Sequence, residues 1–480
     1  MKNFTNTFRT AAYLAVFCLG VFVIGASAQA TFIVTKIADT NDGTCNAADC
    51  SLREAVVAAN ANGGTADFIT FSALFNTAQT ISLTLAGIGD LGDLDLTGTD
   101  GVTITGPGAR LLTINQTVVD QRVFDVNAGG IGTITGVTVG NTDDAGDGSD
   151  DDGACIRNEG TATFNSVQVI GCRANSDGGG IWNNATLTIL NSLIVGNSTA
   201  GAADNGGGFY NSAGTATIAN STFTTNTVAG VGADGGAIRV ETGTLNLTNV
   251  TISGNTANDT GGGISDNSTT NLRNTIVANN ISTANTSEDV AGTITSQGDN
   301  LIEVITGSTG FGGTDITGVD PGLGALANNG GTTDTMTINV SSAAWNQGNN
   351  CVTTTCGAPN NPPALTTDQR GAGFVRLAFA TVDIGAFELP LASAADATIS
   401  GRVVTAQGRA ISRATITVTD ANGESKTVLS NTFGFFNVSE LPTGQTYLVS
   451  VSARGYTFAT PSYFVDLSDN VGDLNFVSTR

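Results

Sequence analysis

The sequence predicts an all-β chain whose main body is a right-handed parallel β-helix, and three observations carry that expectation. The stretch from Ile156 to Asn280 repeats roughly every 25 to 29 residues, a period typical of solenoids and arrays. Each copy opens on a small-residue turn followed by an apolar residue: Gly153-Ala154-Cys155-Ile156, Gly178-Gly179-Gly180-Ile181, Gly206-Gly207-Gly208-Phe209, Gly235-Gly236-Ala237-Ile238 and Gly261-Gly262-Gly263-Ile264. A short strand-like run then leads to Ser166, Asn191, Asn220, Asn249 or Asn274, and after it to Cys172, Asn197, Asn226, Asn255 or Asn280. The runs are β-branched, rich in Thr, Asn and Gly, and lack helical spacing, so each copy reads as one coil of stacked strands.

Taken in order, residues 1–28 read as an export signal: Lys2 and Arg9, an apolar run from Ala11 to Ile24, then Ala26-Ser27-Ala28 as a cleavage site. The apolar run is too short for a convincing membrane span. Residues 29–100 read as an N-terminal cap and first coils. Thr31 to Thr35 is a strand, and Ser51 and Glu54 stand at capping-box spacing for a short helix. That helix places Leu52, Ala55, Val56 and Ala59 on one face, as a lid over a solenoid end should, because an open end is a sticky sheet edge. Residues 101–388 are the β-helix and its C-terminal cap, irregular at first, regular from Ile156, with final coils and closure in 290–388. Residues 389–397 form a Pro/Ala linker. Residues 398–480 carry longer alternating strands such as Ala414 to Thr419, with Asp420-Ala421-Asn422-Gly423 as a hairpin turn.

Three resemblances follow, two of them from short motifs. Cys50-Ser51-Leu52-Arg53-Glu54-Ala55 resembles the signature of the CSLREA family of exported bacterial proteins, where it precedes a β-helix. Thr367-Asp368-Gln369-Arg370-Gly371, Asp383-Ile384-Gly385-Ala386-Phe387-Glu388 and the stretch from Asp320-Pro321 to Asn328-Asn329-Gly330-Gly331 resemble the choice-of-anchor Q domain. Trp345-Asn346 stands where that pattern has an Ile-Asp pair. These resemblances imply architecture and surface attachment, and no established reaction. Residues 398–480 are similar to the carboxypeptidase regulatory-like domain, which implies a small prealbumin-like β-sandwich with a carbohydrate-binding-like fold. That module accompanies catalytic domains, so it implies no peptidase activity.

Composition excludes several functions. The chain carries 18 basic and 41 acidic residues, and loss of the signal would make it more acidic still. Nucleic acid and anionic membranes need clustered Lys and Arg, which this chain lacks. There is no histidine, so His-based triads, His metal sites and imidazole acid–base chemistry are excluded. Six cysteines outside the signal form close pairs, Cys45/Cys50, Cys155/Cys172 and Cys351/Cys356, which read as disulfides of an exported protein rather than as a thiolate zinc site.

The candidate ligand-binding residues follow the opening apolar residue of each coil. If Ile156, Ile181, Phe209, Ile238 and Ile264 point inward, alternation sends Arg157, Trp182, Tyr210, Arg239 and Ser265 outward. On rungs ~4.8 Å apart they would form a strip. Glu159, Asn184, Ser212, Glu241 and Asn267 lie on the same face. An exposed Trp and Tyr flanked by arginines and carboxylates suits a carbohydrate platform, so the chain reads as an exported, non-catalytic cell-surface or extracellular protein that binds carbohydrate or another surface ligand through this strip, the C-terminal sandwich or both; the competing reading of the strip is cross-strand stacking that only stabilises the sheet. Glu159 and Glu241 stand three rungs apart, roughly 14 Å, too far for a glycosidase pair. Arg239 beside Glu241 keeps a polysaccharide-lyase reading open, and a purely structural spacer is the third. The acidic residues Asp143, Asp144, Asp147, Asp150, Asp151 and Asp152 read as a loop offering oxygen ligands to Ca²⁺, or as a solvated loop without one. No other cofactor is expected.

Overall fold

The computed structural model describes residues 28–479 except 88–91, 141, 145–151, 285–288, 358–362, 391–395, 421–422, 444 and 468–469. The expected export signal therefore lies outside the described residues, apart from Ala28. No helix among the described residues is long and apolar enough to cross a membrane.

The chain is a right-handed parallel β-helix followed by a small β-sandwich. Thr31–Val34 is the first rung and pairs in parallel with Asp67–Phe71. Between them lies the capping helix α1, Leu52–Ala61. Ser51 Oγ accepts from the Glu54 backbone at 3.1 Å, and the Glu54 carboxylate accepts from the Ser51 backbone at 2.8 Å, completing the expected capping box. Leu52, Ala55, Val56 and Ala59 are buried, so the lid closes on the face the sequence indicated.

Each regular coil contributes four strands. One coil supplies Ile181–Asn183, Thr186–Leu190, Leu193–Val195 and Ser198–Thr199. Every strand pairs in parallel with its counterpart one coil away, and Ile181 stands opposite Phe209, Thr186 opposite Thr215, Leu193 opposite Thr222. The core is apolar where strands face in, as at Ile181, Leu187, Ile189 and Ile194.

Asparagine turns the corners. Ser166, Asn191, Asn220, Asn249 and Asn274 occupy the left-handed region, with φ between 47 and 55°, a conformation Asn tolerates better than most residues. The second column is a buried ladder. Asn197, Asn226 and Asn255 each donate Nδ2–H to the Oδ1 of the next Asn at 2.8–2.9 Å, and each backbone N–H donates to the same oxygen. Asn280 donates to Asp289 at 2.9 Å. A carboxylate only accepts, so Asp289 ends a chain of donors that another Asn would have prolonged. At the other end Cys172 takes the Asn position and is bonded to Cys155. The Cys45–Cys50 and Cys351–Cys356 disulfides are also formed.

The segment after the last coil departs from the expected end closure. Strands stop at Ile316–Thr317, and the chain then runs back along the flank of the solenoid. Asn220 Nδ2 donates to the Thr367 carbonyl at 2.7 Å, Asn249 to those of Asp383 and Gly385, and Asn274 to that of Asn349. Arg110 pairs with Asp334 at 2.6 Å, far back in the early coils. The physical reason is apolar residues on the outer face of one sheet. Ile276 and Leu301 pack against Ile338, Ala344, Ile384 and Phe387 of the returning segment. Within that segment Asp368 pairs with Arg370 at 2.6 Å and Glu388 lies 3.7 Å from Arg376, all buried.

The sandwich starts at Asp396–Val404, inside the expected linker, and Ala397 is already buried. Its two sheets are Phe435–Pro442, Asp396–Val404 and Phe476–Val477, and Ser425–Leu429, Thr415–Thr419, Gln445–Ser452 and Ser462–Leu467. Ile399, Val403, Ile416, Val418, Val449 and Phe476 fill the space between them.

Candidate functional site

The outward column forms in the register expected. Arg157 stands opposite Trp182, Trp182 opposite Tyr210, Tyr210 opposite Arg239, and Arg239 opposite Ser265. The column is longer than the sequence indicated. Asp125 stands opposite Arg157, and Asp95 opposite Asp125. These two rungs precede the regular repeat. The motifs Leu94-Asp95-Leu96 and Phe124-Asp125-Val126 carry the same apolar–polar start as Ile156-Arg157-Asn158, which is the signal that could have found them.

The exposed platform is corrected by the structure. Trp182 is only 8% exposed and Tyr210 and Arg239 7%. None of these side chains belongs to the apolar core; they face outward and are enclosed by their neighbours. Two walls do this. The first is the glycine turn of each coil, where Gly153, Gly178, Gly206 and Gly235 have φ between 65 and 74°. A Cβ at Gly153 would stand 2.9 Å from the Trp182 Cβ, and one at Gly206 2.9 Å from that of Tyr210. Glycine is therefore required both for the turn and for the close approach.

That wall carries a second polar ladder just before the glycines. Asp152 accepts from the Asp177 backbone, Asp177 from that of Asn205, Asn205 from that of Asp234, and Asp234 from that of Thr260. Its carboxylates reach across to the column: Asp234 pairs with Arg239 at 2.8 Å, and Asp177 hydrogen-bonds the Tyr210 hydroxyl. Burial pushes Asp177 up to about 6. Burial and the nearby Asp177 and Glu241 carboxylates raise the Tyr210 phenol too, so it stays a neutral donor.

The second wall carries acids at the far side of the column. Glu159 pairs with Arg157, and Glu241 with Arg239, each at 2.7 Å. The Arg157 guanidinium lies 5.3 Å from the Trp182 ring centroid, so a cation already occupies one neighbouring rung. The result is a narrow polar seam in which the Trp182 ring face is engaged and charged edges are presented. Glu241 is its best-exposed carboxylate, with 42% of the side chain accessible.

The expected acidic loop is divided. Asp143 and Asp144 form a short strand rather than a loop, and Asp143 pairs with Arg173 at 3.0 Å. Asp152 belongs to the wall ladder and also accepts from Ser176. Asp147, Asp150 and Asp151 lie outside the described residues.

Comparison with known proteins adds the following. Residues 398–479 match the family described as carboxypeptidase regulatory-like domain, which agrees with the sandwich. Among solved structures the chain is similar to a crystal structure of pectate lyase Pel9A, with 14% identity and a TM-score of 0.37, over 76% of this chain and 97% of that one. No curated protein matches the chain.

Proposed function

We propose that this is an exported, non-catalytic surface or extracellular protein that binds carbohydrate through the charged edges of the outward seam. The reading extends to the CSLREA and choice-of-anchor Q resemblance, which would make the solenoid a displayed surface element. The observation that carries it is the column itself: Arg157, Trp182, Tyr210, Arg239 and Ser265 occupy equivalent outward positions, yet coil formation asks for none of these side chains. Arg–carboxylate pairs with an accessible rim offer both donors and acceptors to sugar hydroxyls. The three disulfides fit an oxidising compartment.

A glycan array with the chain lacking residues 1–28 tests this. Binding to at least one glycan is expected, reduced roughly tenfold, about 1.4 kcal/mol, by Glu241→Gln. Trp182→Ala should weaken it as well by removing the ring against which the Arg157 guanidinium is held. No binding, or equal binding by Glu241→Gln, would refute the proposal. The low exposure of Trp182 and Tyr210 favours the second reading, a structural spacer, which predicts that outcome.

A further inference from the structure

The N-terminal end of the seam holds a group of charges that the binding reading does not use. Asp95 and Asp125 are direct partners on neighbouring rungs. Asp93 precedes them on a turn fastened from behind by the buried Arg53. Arg53 Nη2 donates to the Gly92 carbonyl at 2.8 Å and Nη1 to that of Asp93 at 3.1 Å, while Nε pairs with buried Asp39 at 2.7 Å. Helix α1 thus fixes the Asp93 backbone, and sheet register fixes the other two.

One carboxylate oxygen from each of Asp93, Asp95 and Asp125 lies within 4.8 Å of the others. Arg122 Nη1 is 3.3 Å from Asp125 Oδ2 and 3.6 Å from Asp93. Asp125 is 8% exposed, and its Oδ1 is buried without a hydrogen-bond partner. A buried carboxylate oxygen left unmatched is costly unless something positive meets it. The nearby Arg157 is engaged by Glu159 at 2.7 Å.

We propose that Asp93, Asp95 and Asp125 form a divalent-cation site, selective for calcium, at the N-terminal end of the outward seam. The donor set is oxygen alone, which suits hard cations. All six cysteines of the expected mature chain are in disulfides and the chain has no histidine, so zinc lacks its usual ligands. Carboxylate oxygens within 4.8 Å of one another can share one ion, and calcium accepts flexible sets of oxygen ligands at ~2.4 Å, whereas magnesium demands near-octahedral geometry and sheds its water reluctantly. The ion would meet Asp125 Oδ1. Asp125 Oδ2 would keep Arg122, which reduces the net charge of the site and sets a modest affinity.

The test is calcium titration of the chain without residues 1–28, disulfides intact, by isothermal calorimetry, with melting temperature as second readout. One saturable equivalent is expected, with a rise in Tm of roughly 3 °C at a hundredfold excess over Kd, and no comparable response to magnesium. Asp125→Asn should reduce affinity at least tenfold. It should leave the metal-free Tm equal or higher, since it removes charge from the crowded group. Asp95→Asn, at a less buried position, repeats the test should Asp125→Asn fail to fold. Asp143→Asn should leave calcium binding unchanged. No saturable uptake by the unsubstituted chain would overturn the proposal. So would full binding by both Asp125→Asn and Asp95→Asn, or binding lost only with Asp151→Asn or Asp152→Asn, which would assign calcium to the acidic segment.

Discussion

Two columns ride on the same coils and obey opposite rules. The inner-corner ladder repeats one residue, Asn197, Asn226, Asn255 and Asn280. The outward column changes at almost every rung, from Asp95 and Asp125 through Arg157, Trp182 and Tyr210 to Arg239 and Ser265. Both have the same rung spacing and parallel register. The ladder is uniform because each coil leaves the same buried carbonyl and N–H to satisfy, and one side chain shape does so. The outward positions carry no such demand. Their variation therefore reflects local chemistry, and the molecule separates what makes a coil from what lines its outward seam.

The strongest way to break that comparison is Asn226→Ala. Asn226 is fully buried, and its amide donates to Ile194 and Asn255 while its oxygen accepts twice from Asn197. Removing it leaves several buried partners unmatched, each worth ~1–3 kcal/mol. We expect a loss of about 4 kcal/mol in urea unfolding of the solenoid. A loss below about 1 kcal/mol would show that the ladder is repetition without energetic need.

This difference also explains what the sequence disclosed. Repeated Gly and Asn, the paired cysteines and the Ser51/Glu54 spacing each express a local rule, so fold, register and disulfides were legible. Burial of Trp182 and Tyr210 was not, because it arises from glycine turns and carboxylates brought close only by coiling. Strand alternation says which way a side chain points and nothing of what stands beside it. The returning segment was equally hidden: its partners Asn220 and Thr367 are 147 residues apart. Asp93, Asp95 and Asp125 escaped notice because the early coils lack the glycine signature that sets the register elsewhere.

A pH titration of stability sharpens the comparison at intermediate magnitude, since both columns contain displaced carboxyls. Burial pushes Asp289 at the end of the ladder up to about 7, and Asp125 and Asp177 at the seam up to about 6. Glu388 in the returning segment also rises to about 7, by burial. The folded chain holds these protons more tightly than the unfolded chain, so their contribution is full near pH 4 and is lost as pH climbs through 6 and 7. Glu54 works the other way. Despite burial, hydrogen bonds from Ser51, Thr40 and Asp42 with nearby Lys36 lower it to about 2, so its contribution is lost as acid approaches that value. Stability should peak near pH 4–5 and Tm should fall by several degrees toward pH 7.5. Asp289→Asn should flatten the upper part of that fall. A Tm that rises steadily from pH 5 to 7.5 would contradict the assignment.

The smallest expected change in stability belongs to Glu241→Gln. Glu241 accepts from both Arg239 Nε and Nη2 and from Asn267, but almost half its side chain is exposed. Exposed ion pairs are worth little, and glutamine retains an oxygen that Arg239 can use. Arg239 also keeps Asp234 and Ser265. Urea unfolding should therefore shift by no more than ~0.5 kcal/mol. The contrast with Asn226→Ala is the point of the measurement, because both residues sit on one scaffold and both accept from more than one donor. If Glu241→Gln cost as much as the ladder substitution, the outward column would be a structural brace, and the distinction between coil-making and displayed residues would fail at the place where ligand binding is proposed.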